Sequence, residues 1–150
     1  MDALAPVAGI AGLLQNVQIA VDVFQAYKDL PRELRQLVDE TVALGEVISA
    51  ISKLPIQKEF IHLDAGLKNV IVSCQSTCDS ILHEHERLFD KKSRKLNPLR
   101  YLLARNRLES LRTALDRHKA TFSTIFSVLL QYVHFSRLLR AYTERFVVPV

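Results

Sequence analysis

At 150 residues, with 49% hydrophobic and 24% charged residues and a net charge of +4, the chain is long enough for one hydrophobic core and too apolar for a disordered segment. Four Gly and five Pro leave little turn chemistry for a sheet protein. With so few glycines a phosphate cradle is hard to build, and no Walker-type loop, dinucleotide fingerprint or nucleophile elbow occurs, which argues against a nucleotide hydrolase.

The expected fold is all-α: one domain over residues 1–150, an antiparallel bundle of four to five helices with a long C-terminal helix. The first helix is expected from about Ala3 to Tyr27. The N-terminus lacks the basic start and small-residue cleavage site of a secretory signal, so no export is expected. Residues 3–21 carry no charge, a stretch close to the roughly 20 residues that span a bilayer. Its apolar residues, among them Leu4, Val7, Ile10, Leu13, Leu14, Val17, Val21 and Phe24, surround nearly the whole cylinder, so the helix should want burial on all sides. Ala5 and Gly9, and again Ala8 and Gly12, stand four apart, the spacing that lets helices approach closely in membranes. The same glycines would give clearance to a central bundle helix. Both readings fit a helix that is buried at rest and able to enter lipid once released.

The second helix is expected from Pro31 to Leu54, with Leu34, Leu37, Val38, Thr41, Leu44, Ile48 and Ile51 stepping by three and four. After a connector, Asp64 can cap a third helix whose stripe is Leu67, Val70, Ile71, Cys74, Cys78, Ile81, Leu82 and Leu88, ending near Phe89. Cys74 and Cys78 are one turn apart, wider than a disulfide normally allows, and are expected as small buried thiols. The run His83-Glu84-His85-Glu86 looks like metal ligands, but residues two apart on a helix do not face each other, so it is expected as a solvated helix end. Asp90 to Leu96 should be an exposed basic loop. Asn97 then Pro98 is a helix start, the Asn as cap and the Pro in the first turn. The last helix carries apolar residues at 108, 111, 115, 122, 125, 129 and 133, a heptad-like seam interrupted only around His118, which is expected as a hydrogen-bonded structural residue. Neither Gly nor Pro falls between Leu99 and Val148, so this helix either runs past Phe146 or bends near Val133 to Ser136.

Charge is unevenly spread: residues 1–86 are net −6, 87–119 net +8 and 120–150 net +2. The basic patch Lys91, Lys92, Arg94, Lys95, Arg100, Arg105 and Arg107 admits solvated surface, an anionic-lipid contact or a nucleic-acid contact. Lipid is favoured over nucleic acid, because no aromatic interleaves the run before Tyr101 and because the same chain carries an uncharged first helix. No catalytic set emerges, so neither an enzymatic activity, a cofactor nor a metal is expected.

The opening Met1-Asp2-Ala3-Leu4, the run Val7-Ala8-Gly9-Ile10-Ala11-Gly12-Leu13-Leu14, the segment Tyr27-Lys28-Asp29-Leu30-Pro31-Arg32-Glu33-Leu34 and the helix from Leu44 to Leu54 resemble the HeLo-like N-terminal domains of fungal NLR (STAND) proteins. The similarity continues through Leu67 to Leu88, the basic loop and Arg107 to Phe122; it departs at Asn97, where an aromatic is expected. The family is similar in turn to the four-helix bundle of the necroptosis pseudokinase. What the resemblance implies is a cytoplasmic cell-death effector at the front of a larger receptor or amyloid-signalling protein. Such a domain self-associates on activation, relocates to the plasma membrane and inserts its N-terminal helix. Carried onto this chain, Val7, Gly9, Ile10, Gly12, Leu13, Leu14, Val17 and Val21 would enter the membrane and the basic patch would hold anionic headgroups. The alternative is a soluble interaction or regulatory module without membrane activity.

Overall fold

The computed structural model describes the backbone of residues 5–55 and 64–146, and the side chains of 9–55 and 66–146. The expected start of the first helix at Ala3, the Val7 side chain, the Asp64 cap and residues 147–150 lie outside what is described. Within it the chain forms four helices, α1 (Ala5–Gln25), α2 (Arg32–Ser52), α3 (Asp64–Leu88) and α4 (Pro98–Phe146). The described residues hold no strand; the one β-type pairing is an isolated antiparallel bridge between Phe89 and Leu96.

α1 packs on α2 and α3, and α4 packs on α2 and α3, so α1 and α4 lie diagonally opposite. The direction of each helix follows from its contacts. Gly9 faces Ile71 while Phe24 meets His85 and Phe89, so α1 and α3 run parallel. Thr77 meets His118 while Glu84 meets Arg107, so α3 and α4 run antiparallel. Glu33 meets Arg105 and Glu40 meets Lys119, so α2 and α4 run parallel. The short connection 26–31 turns α1 into α2, and Pro31, extended at φ −56 and ψ 157, ends any continuation of helix while its carbonyl accepts from Arg35 N–H at 2.9 Å.

The stripes read from the sequence form the core. Leu34, Leu37, Val38, Thr41, Leu44, Ile48 and Ile51 of α2 are all buried. In α3 Leu67, Ile71, Cys74, Cys78, Ile81 and Leu88 are buried, and both thiols are free. The hydrogen bond to Cys78, with burial, pushes the Cys74 thiol far above its ordinary range, so it stays protonated.

One expectation needs correction, and one alternative is decided. α1 is not apolar all round: Ala11, Gln15, Gln18, Ile19, Asp22 and Gln25 form a solvated face, because uncharged Gln residues satisfy water as well as charges do. α4 does not bend into a further element; it is one unbroken helix of 49 residues, roughly 74 Å long. α1 and α2, with 21 residues each, reach only about 32 Å. Burial in α4 accordingly runs through Ala104, Leu108, Leu115, His118, Phe122, Leu129 and Val133 and stops there, leaving 134–146 as an overhang.

Candidate functional site

The first candidate set lies on α1, and most of its described side chains face the core in this conformation. Ile10, Leu13, Val17 and Val21 are core residues and Leu14 is half-buried against them. A Cβ at Gly9 would stand 3.3 Å from Ile71 Cδ1, whereas one at Gly12 would meet nothing within 4 Å among the described residues. Gly9 therefore gives clearance to α3, and Gly12 gives none that the bundle uses. No helix among the described residues is long and apolar enough to cross a membrane. On the outer face of α1 the Gln18 amide donates to Asp22 at 2.8 Å.

The second set is built by the α3–α4 turn. Leu88 C=O accepts from Asn97 N–H at 2.8 Å, and Asp90 N–H donates to Lys95 C=O at 2.9 Å, which closes the turn. The Asp90 carboxylate accepts from Lys92 N–H at 3.2 Å and from the Ser93 hydroxyl at 3.3 Å. Asn97 Oδ1 accepts from Leu99 and Arg100 N–H at 3.1 and 3.2 Å, the cap expected from the sequence. Arg94 sits at φ 54, where Gly or Asn is usual, at a cost of roughly 1–2 kcal/mol. The result is a pinned loop with Lys91, Lys92, Arg94 and Lys95 all exposed.

The seven basic residues have different partners. Arg100 stays with the loop, where its guanidinium donates to Arg87 C=O at 3.2 Å. Arg105 turns toward α2 and pairs with Glu33 at 3.4 Å. The Tyr101 hydroxyl also donates to Glu33, which holds that carboxyl below its usual range; burial and this bond push Tyr101 up to about 12. Arg107 turns toward α3 and grips Glu84, Nε to Oε1 at 2.7 Å and the second nitrogen to Oε2 at 3.4 Å. Glu84 is only 4% exposed, with Arg87 also near at 3.6 Å, so the expected solvated end of α3 is in fact anchored inward. Arg105 and Arg107 are half-exposed and each joins α4 to a neighbouring helix, whereas Lys91, Lys92, Arg94, Lys95 and Arg100 stay at the turn.

Sequence reasoning passed over the apolar half of this corner. Leu99, Leu102 and Leu103 are 65%, 59% and 68% exposed on the first turns of α4, directly after the cationic loop. Their signal was present: spaced i, i+3, i+4, they fall off the core stripe that begins at Ala104.

His83 is exposed, while His85 is half-buried in an aromatic cluster with Phe24, Tyr27 and Phe89 at centroid distances of 5.2, 5.7 and 5.1 Å. The two rings share no site, and among the described residues no group of three or more His, Cys, Asp or Glu is placed to hold a metal ion.

The fold and this corner define a four-helix-bundle module whose exposed chemistry is cationic and apolar side by side. Over residues 2–144 the chain matches the family described as the N-terminal region of pigment biosynthesis cluster protein PigL, and it belongs to that family. No curated protein and no solved structure matches it.

Proposed function

We propose that this domain is a membrane-targeting effector module that docks on anionic lipid through the α3–α4 corner. The observation that carries the reading is the exposed Leu99, Leu102 and Leu103 beside Lys91, Lys92, Arg94 and Lys95: apolar side chains to enter the interface and cations to hold its headgroups. The strained Arg94 supports it, because a charge kept where Gly would relax the backbone points to a use for that charge. The resemblance to HeLo-like domains supports the wider reading, in which self-association at the plasma membrane releases α1 from the bundle and the outcome is regulated cell death. The name of the family refers to a pigment biosynthesis cluster protein and assigns no chemistry to these residues.

Co-sedimentation with phosphatidylserine-containing vesicles tests the docking. Charge removal at Lys91, Lys92 and Lys95 should weaken binding roughly a hundredfold at low salt, at about 1 kcal/mol per cation near the surface. Leu99→Ser with Leu103→Ser should weaken it further at every salt concentration. Equal binding by all variants, or by neutral and anionic vesicles, would remove the proposal. One observation favours the alternative of a soluble interaction module, the apolar overhang of α4.

A further inference from the structure

Beyond Val133 no residue of α4 is buried, yet Phe135, Leu138, Leu139, Tyr142 and Phe146 follow, 55–65% exposed, with Val128 at 51% just before them. These residues do not continue the core seam. At about 100° per residue, their stripe is rotated by roughly 130° from the stripe of Leu108, Leu115, Phe122 and Leu129 that faces the bundle. A helix that only fades into solvent has no reason to rebuild an apolar face on another side.

The spacing says what the face fits. Val128, Tyr132, Phe135, Leu139, Tyr142 and Phe146 advance by four and three in strict alternation, the heptad pattern of helix-to-helix packing. The positions flanking this seam are Leu129, Ser136 and Thr143 on one side and Gln131, Leu138 and Arg145 on the other. Only one of them is charged, so two identical seams meet with little like-charge repulsion. Arg137, Arg140 and Glu144 point to the opposite side of the helix, whereas a helix lying on lipid would carry its cations at the edges of the apolar face. The six exposed apolar side chains offer roughly 700 Å², close to the ~800 Å² that each partner contributes to a standard interface.

We infer that the α4 overhang is a self-association surface, and that its partner is the same seam of a second copy of this chain. This deepens the self-association that the proposed function calls for, but it stands on geometry that involves no lipid. The overhang lies outside the bundle core, so it can be altered without touching the buried residues.

Sedimentation equilibrium of the whole chain in the absence of lipid tests the inference. The wild type should associate reversibly below about 100 μM, and Leu139→Glu with Tyr142→Glu should weaken association roughly a hundredfold or more, with the thermal midpoint of the dilute monomer unchanged. Leu139→Ala with Tyr142→Ala, which keeps helix propensity, should weaken association in the same direction and covers the case in which the glutamates unwind the overhang. Arg137→Glu with Arg140→Glu should associate like the wild type. A monomeric wild type at about 100 μM, or association that survives both seam variants, overturns the inference. So does a monomeric wild type whose seam variants lose vesicle binding, which would make the face a lipid contact. The loop variant lacking Lys91, Lys92 and Lys95 separates the two proposals: it should lose vesicles and still associate, whereas the seam variants should bind vesicles as monomers.

Discussion

His118 shares a 2.8 Å hydrogen bond with Thr77 inside the α3–α4 interface, and His85 sits among Phe24, Tyr27 and Phe89 with Nε2 buried and unpartnered. Desolvation holds both rings below the ordinary histidine range; Arg117 adds to the effect at His118, and Glu86 opposes it at His85. The unfolded chain therefore takes up protons before the folded one as pH falls. Stability is complete above about pH 6.5 and declines below it toward the folded values. The urea midpoint should be lower at about pH 5.5 than at about pH 7.5, and His118→Gln with His85→Phe should flatten that difference. A slope that the double variant leaves intact would place the acid sensitivity elsewhere. His85→Phe alone should cost little at neutral pH, because an apolar ring of similar shape replaces an unsatisfied nitrogen. Of these residues, the structural role of His118 was legible from its place in the seam. The inward turn of Glu84 and His85 was not, because both depend on partners, Arg107 and Phe24, that lie 23 and 61 positions away in sequence.

α2, α3 and the bundle part of α4 announce their buried faces by period, and Asn97-Pro98 fixes the start of α4 to the residue. What period alone cannot carry is which partner a face meets. The apolar count in α1 concealed its Gln-lined outer face, and the core seam of α4 ends at Val133 without marking the apolar residues that follow on another side. The glycines show the same limit. A Cβ at Gly45 would stand 3.2 Å from Cγ1 of Val17, a buried β-branched side chain with little rotamer freedom to retreat. At Gly12 the described neighbourhood is open. Gly12→Ala should therefore stabilise the bundle by about 0.5–1 kcal/mol through helix propensity, while Gly45→Ala should gain less or destabilise. Thermal midpoints of the two variants check this, and a reversed order would mean that the α1–α2 approach is looser than the contact at Val17 indicates.

At the scale of the whole molecule, the bundle and the proposed release of α1 pull against each other. Ile10, Leu13, Val17, Val21 and Phe24 are buried, and at about 1.5–3 kcal/mol each their exposure would cost on the order of 10 kcal/mol. That is comparable to the whole stability of a typical domain, so an isolated chain keeps α1 in place. Only a second source of free energy, from lipid entry or from pairing of copies along α4, can offset it. Docking at the α3–α4 corner requires no such rearrangement, since Leu99, Leu102, Leu103 and the loop cations are already exposed. The two steps are therefore separable by a covalent lock. With Cys74→Ala and Cys78→Ala removing the native thiols, Val17→Cys and Gly45→Cys place two sulfurs at the α1–α2 contact, where a Cβ at Gly45 would stand 3.2 Å from Val17 Cγ1. The oxidised protein should bind anionic vesicles as tightly as the reduced one and release no trapped dye, and dithiothreitol should restore leakage. Leakage from the oxidised form would show that α1 never has to leave, and the corner and the α4 seam would then carry the membrane activity without it.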